Sequence, residues 1–274
     1  MKLGMICGWS AEDFEYVKRK GLECVEFCVN HNYDADAFLA EAPQIRARSE
    51  ATGIAVGSIG RWGMDRLDEN GEILPAALHA DQALIDAASI IGCPVFNFGV
   101  NAAEKLSFEE NCAAAIRYAQ ALLDYAEGKG VKLATYNCDW SNFVYNDAAW
   151  SVVHKALPAL GIKYDASHCI GRKGDYLKEL RDWGDRVYHV HVKGVLVIDG
   201  EPYDDAPAGL DSINWGGLLD VLYTKDYDGM LSIEPHSHFW GGVRGQWGVD
   251  FTIGFIRPFL MPADYDESKP IFMP

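Results

Sequence analysis

His189, His191 and Lys193 stand on alternate positions of YHVHVKG (residues 188–194), with apolar residues between them. Imidazoles hold metal ions or move protons near neutral pH, and an ammonium group steadies a developing anion. On a strand, successive side chains point to opposite faces. The three ionisable groups then share one face, and Tyr188, Val190 and Val192 the other. More polar groups end other short apolar runs: Glu26 in CVEFC, Arg61 and Trp62 in GRWG, Tyr136 and Asn137 in LATYNCDW, Asp165 and His168 in KYDASHC, and Glu234, His236 and His238 in LSIEPHSHFW. Asp165, His191 and Glu234 together offer oxygen and imidazole ligands of the kind that suit Mn, Mg, Co, Fe or Zn as divalent ions. A single strand-end carboxylate is more often a structural hydrogen-bonder. Three suitable donors on three consecutive strands point to a site. His189, deeper on its strand, reads as a hydrogen-bonded core histidine.

Eight short runs predict the strands that must carry these groups: Lys2–Cys7, Cys24–Val29, Ile54–Ile59, Pro94–Phe98, Val131–Tyr136, Ile162–Asp165, Val187–Val192 and Met230–Ile233. Helical spacing fills the intervals. In SFEENCAAAIRYAQALLDYAEGKG, Ser107 and Glu110 make a capping box, and Gly128 or Gly130 ends the helix. Eight alternating strands and helices predict an α/β fold, a single (β/α)8 TIM barrel over residues 1–260, with a proline-bearing tail over 261–274 that runs along the surface. The turn after the first strand, CGWSAED, is no dinucleotide-binding fingerprint. In a barrel the outward face of YHVHV packs on helices, and its inward face belongs to the cup at the C-terminal rim.

The chain has 274 residues, 49% of them hydrophobic, and a formal net charge of −16. That charge repels nucleic acid and anionic membranes, so neither is expected as a partner. No apolar run reaches membrane length, and MKLGMICGWS lacks a secretory core, so a cytoplasmic location is expected. Seven cysteines without a CxxC pair read as reduced thiols. Trp9, Trp62, Trp140 and Trp240 fall just after strands, where indoles stack on sugars or, more commonly, pack loops. FWGGVRGQWG (239–248) reads as a glycine-rich loop, with a phosphate loop using Arg244 as the alternative. Residues 191–214 make a long connection that either covers a substrate or is ornament.

The motifs GLECVEF, YDASH, VYHVHVKG and LSIEPH make the chain resemble the xylose-isomerase-like TIM barrels grouped as sugar-phosphate isomerases/epimerases, which include ketose 3-epimerases and inosose dehydratase. The resemblance runs from Lys2 to Arg257 and is strongest from Gly161 to His236. It implies one divalent metal held by a Glu, an Asp, a His and a Glu from strands five to eight. Asp165, His191 and Glu234 match the last three, and His168 matches a residue that contacts substrate oxygen. The first position departs: relatives read L-A-L-E-N, whereas this chain reads LATYN, so Tyr136 stands where Glu is expected. Asn137, Asp139 or His168 then completes the shell, or water does and binding is weak, or the metal is absent. The first two are preferred, because three protein donors still hold an ion with open positions.

The resemblance implies a small carbohydrate as substrate and a homo-oligomer. It implies a metal-assisted isomerase or epimerase that takes a proton from beside the carbonyl of a polyhydroxy compound. Glu234 or His168 is the base, Lys193 or Tyr136 the acid or oxyanion donor, and Arg61, Trp62, Tyr136, His236 and Trp240 line the substrate. The alternatives are a dehydratase or lyase on a keto-sugar or inosose, and a non-catalytic sugar-binding barrel that lost one Glu. Abasic-site endonucleases share the fold, but the charge and the incomplete ligand set argue against them.

Overall fold

The computed structural model describes residues 1–262 and Tyr265. The 261–274 tail therefore lies almost wholly outside the described residues. In chain order the elements are β1 Lys2–Ile6, α1 Ala11–Arg19, β2 Cys24–Cys28, α2 Ala35–Thr52, β3 Ala55–Arg61, α3 Pro75–Ile91, β4 Val95–Phe98, α4 Phe108–Ala126, β5 Lys132–Tyr136 and α5 Asp147–Ala156. There follow β6 Gly161–Tyr164, α6 Ala166–Gly171, α7 Tyr176–Trp183, β7 Val187–Val192, β8 Leu196–Ile198, β9 Glu201–Asp204, α8 Trp215–Thr224, β10 Met230–Ile233 and α9 Gly242–Ile256.

Eight parallel strands close in the order β1-β10-β7-β6-β5-β4-β3-β2, so the fold is a single (β/α)8 barrel. Each predicted strand is present within one or two residues at either end. Both cap residues of α4 do what the sequence asks: the Ser107 side chain accepts from the Glu110 amide, and Glu110 accepts from the Ser107 amide. The Val190 and Val192 side chains are buried beneath the outer helices, while His189 and His191 face the interior. Among the described residues no helix is long and apolar enough to cross a membrane. All seven cysteines are free thiols.

The long connection after β7 contains a structured piece that hydrophobic pattern alone missed. β8 and β9 form an antiparallel hairpin around Asp199–Gly200, both with positive φ (53° and 81°). This is the two-residue turn for which Asp-Gly is a strong local signal, because its backbone twist matches that of the flanking strands.

Candidate active site

Two polar layers are stacked inside the barrel. In the lower one Glu26 from β2 accepts from three neighbours. Its Oε2 receives His189 Nε2 at 2.9 Å and His191 Nε2 at 3.0 Å, and its Oε1 receives Ser58 Oγ at 3.3 Å. Burial alone would push the Glu26 carboxyl up, but the two imidazoles hold it well below the ordinary range. His189 is thus the hydrogen-bonded core histidine that its depth suggested, kept neutral chiefly by burial. The atoms this layer leaves unpaired are neutral: His189 Nδ1, Asn97 Oδ1 and Ser232 Oγ.

The upper layer begins at the other side of the His191 ring, whose Nδ1 lies 2.9 Å from Glu234 Oε2. Register explains the meeting. Ser232 of β10 pairs with His191 of β7, so Glu234, two residues on, stands one layer higher, its amide bonded to the Val192 carbonyl. Asp165 ends β6 and caps α6. Its Oδ1 takes the Ser167 amide at 2.9 Å and hydroxyl at 2.7 Å. Its Oδ2 is buried without a hydrogen bond. One donor atom from each of Asp165, His191 and Glu234 lies within 4.8 Å of the others.

Lys193 Nζ sits among these groups, 3.4 Å from Asp165 Oδ2, 3.9 Å from Glu234 Oε2 and 3.3 Å from His168 Nε2. Burial would lower its pKa, but the two carboxylates raise it above the ordinary lysine value. Burial pulls His168 down to about 4 against the attraction of Asp165, so its ring is neutral and accepts from Lys193. Burial would raise Glu234, yet His191, with help from Lys193 and Lys163, brings it down to about 2.

Sequence reasoning missed Lys163. Its Cα pairs with His189 of β7, and its side chain, 2% exposed, ends 3.9 Å from Asp165 Oδ2 and 5.9 Å from the Trp62 ring centre. The available signal was alternation. In KYD, residues 163 and 165 share a face, so a strand that aims Asp165 inward aims Lys163 inward too.

Tyr136 and Trp62 stack at 5.9 Å between ring centres, and Trp62 also leans on His191 at 5.9 Å. Glycines seat both rings: a Cβ on Gly60 would overlap Trp62, and one on Gly99 would overlap Tyr136. The Tyr136 hydroxyl donates to the Trp140 carbonyl at 3.0 Å, and burial pushes its pKa up to about 12. It is a neutral phenol at the position where the sequence resemblance implies a carboxylate.

The other expected residues divide. Glu234, His236 and Trp240 line one small cavity beside the cup, along with Asp205 and Pro207. There His236 Nδ1 lies 2.7 Å from Asp205, and Trp240 stacks on Trp247. Arg61 does not reach the cup. Inward Ser58 and Gly60 force it outward, where it donates to the Val29 carbonyl at 2.9 Å and lies 3.9 Å from Asp81 of α3. Nor is the Asn137 amide presented as a ligand. Its Nδ2 donates to the Asp165 carbonyl at 2.8 Å and its Oδ1 accepts from the Asp165 amide at 2.9 Å, so both ends fasten β5 to β6. Arg244 turns back onto the Phe239 carbonyl at 3.2 Å.

Residues 14–248 match the family model for the xylose isomerase-like TIM barrel. No curated protein sequence matches the chain. Among solved structures it is similar to 3-keto-D-glucoside 4-epimerase YcjR from E. coli, with 16% identity, TM-score 0.73, and coverage of 94% of this chain and 99% of that one. It is similar to D-psicose 3-epimerase from Clostridium cellulolyticum, with 14% identity, TM-score 0.72, and coverage of 94% and 99%. It is also similar to mannonate dehydratase from Streptococcus suis, with 15% identity, TM-score 0.71, and coverage of 94% and 95%. At these identities the likeness is one of fold. The chain belongs to the xylose isomerase-like TIM barrel family.

Proposed function

We propose that this barrel is a sugar-processing enzyme that removes a proton from the carbon beside a carbonyl of a small polyhydroxy compound. One observation carries the reading: Asp165, His191 and Glu234 bring donor atoms within 4.8 Å of each other at the C-terminal rim, where barrels of this kind do their chemistry. These three fit one divalent ion, since two carboxylates and an imidazole suit such ions and Asp165 Oδ2 is buried with no hydrogen bond. Such an ion supplies a Lewis acid that polarises a carbonyl oxygen.

The chain's own groups do the rest. Glu234 is ionised and is the side chain of the trio that keeps exposure to the cup, 22%, so it takes the proton. Lys193 stays cationic and lies against both carboxylates, placed to hold negative charge as it develops on the substrate oxygen. His168 is neutral, and through Nε2 it accepts from Lys193 and so holds that ammonium in the cup. Trp62 and Tyr136 form an apolar wall that keeps water from the reacting carbon. The similar structures, two sugar epimerases and a mannonate dehydratase, support the same class of substrate.

Tyr136 favours one variant of this reading. With a phenol on β5, Glu234 faces the substrate without a second carboxylate opposite it, which suits isomerisation or elimination better than inversion through two facing bases. Hydrogen exchange from D2O into a panel of ketoses and inososes, followed by NMR, tests the step. Glu234→Gln should slow exchange by about 10²–10⁴-fold. Exchange at the wild-type rate would remove Glu234 as the base. Metal analysis of the protein as purified, with Mn²⁺ titration of the EDTA-treated form, tests the ion independently of turnover.

A further inference from the structure

Lys163 takes no part in the proton transfer above, and its ammonium forms no hydrogen bond among the described residues. Its ammonium lies 3.9 Å from Asp165 Oδ2 and 5.9 Å from the Trp62 ring centre. Its side chain is 2% exposed, and an ammonium carries three donors. Lys193 brings a second ammonium to the same Asp165 oxygen, at 3.4 Å. Around that oxygen two ammonium groups face the two carboxylates of Asp165 and Glu234, in a protein whose net charge is −16. The Lys163 ammonium still has N–H donors to spend.

We propose that Lys163 and Lys193 together receive a carboxylate carried by the substrate, so that the site selects carbonyl-bearing sugar acids over the matching neutral sugars. Two ammonium groups converging on one wall, one of them without a hydrogen bond, suit a monoanion. A phosphate monoester is the poorer match. Barrels commonly hold phosphate on loop amides near the last strands, and here the glycine-rich stretch runs into α9 with Arg244 turned onto Phe239. The proposal takes from the proposed function only the polyhydroxy carbonyl nature of the ligand.

Calorimetric titration of the full chain, with and without Mn²⁺, compares matched pairs: D-fructuronate against D-fructose, and D-glucuronate against D-glucose. The acid of a pair should bind about tenfold or more tightly, the scale of one charge-assisted hydrogen bond. Lys163→Met should erase that preference while Lys163→Arg keeps most of it, and Lys163→Gln serves where the Met variant does not fold. Equal binding within the pairs, no binding of either acid, a preference unchanged by Lys163→Met, or tighter binding of fructose 6-phosphate would each overturn the proposal. Deuterium exchange separates it from the proposed function. Exchange into fructose without an acid preference defeats the clamp alone, and an acid preference without exchange defeats the proton transfer alone.

Discussion

The two layers inside the barrel use the same residue types and reach opposite outcomes. In the lower layer one carboxylate serves two imidazoles and a hydroxyl, and every atom left over is neutral. In the upper layer a carboxylate oxygen is left without a hydrogen bond, and an ammonium has unspent donors. His191 belongs to both, one ring nitrogen in each. A histidine–carboxylate cluster is thus not a functional signal by composition. What marks the upper layer is unspent charge beside an opening, whereas the lower layer is a strut that fixes the orientation of the ring shared with it.

This contrast can be broken at Glu26. Glu26→Ala leaves two buried rings without their acceptor and should cost about 3–5 kcal/mol, as breaking buried charge pairs does. Urea unfolding measures it, and a loss below roughly 1 kcal/mol would make the lower layer as dispensable as a surface pair. Outside both layers one contribution to the acid response of the fold comes from His154 of α5, fully buried, with Thr135 Oγ1 and the Leu160 carbonyl at its two nitrogens. Burial takes it from 6.5 down to about 4, so between those values the unfolded chain binds more protons than the folded one. Its contribution is complete above pH 6.5 and disappears as pH falls to about 4, a change of about 3 kcal/mol. His154→Gln should flatten that slope in unfolding measured across the window.

The upper layer should answer differently. Asp165→Asn keeps a side chain able to cap α6 but removes the charged oxygen, so Mn²⁺ affinity should fall by at least about 10–100-fold, the loss typical of disturbed metal sites, and the melting temperature should fall as well, because Lys163 and Lys193 lose the carboxylate they face. Titration calorimetry and thermal unfolding of one preparation decide it. The smallest effect is expected at the wall between cup and strands. Gly60→Ala puts a methyl where the Trp62 ring lies and should cost about 1–3 kcal/mol as overpacking. Tryptophan fluorescence should report the displaced ring, and an unchanged spectrum would show that the seat is looser than its geometry.

Most of the framework was legible because a strand writes its two faces into alternate letters. YHVHV shows which side meets helices and which meets the cup, and Asp165, His191 and Glu234 follow from it. The same rule, applied to fewer residues, would have turned Arg61 outward and Lys163 inward. Arg61 was misjudged because a polar residue at a strand end draws attention by its type before its parity is counted, and Lys163, inside its strand, was overlooked. Asn137 shows a different limit. Its position was right, but an amide can satisfy a backbone as readily as a ligand, and only the paired distances to Asp165 decide between them. The Asp199–Gly200 hairpin was written in the sequence as a turn signal, inside a stretch taken as a plain connection.

Gly99 and Tyr136 constrain how this barrel could change. A glutamate at position 136 would bring a further carboxylate to the cup but vacate the space that the phenol fills against a residue with no side chain of its own. Filling that space first, by enlarging Gly99, would collide with the phenol still present. Neither single replacement is comfortable alone, so the two sites form a ratchet. A designer introducing an acid there, or a lineage drifting toward one, must alter both together.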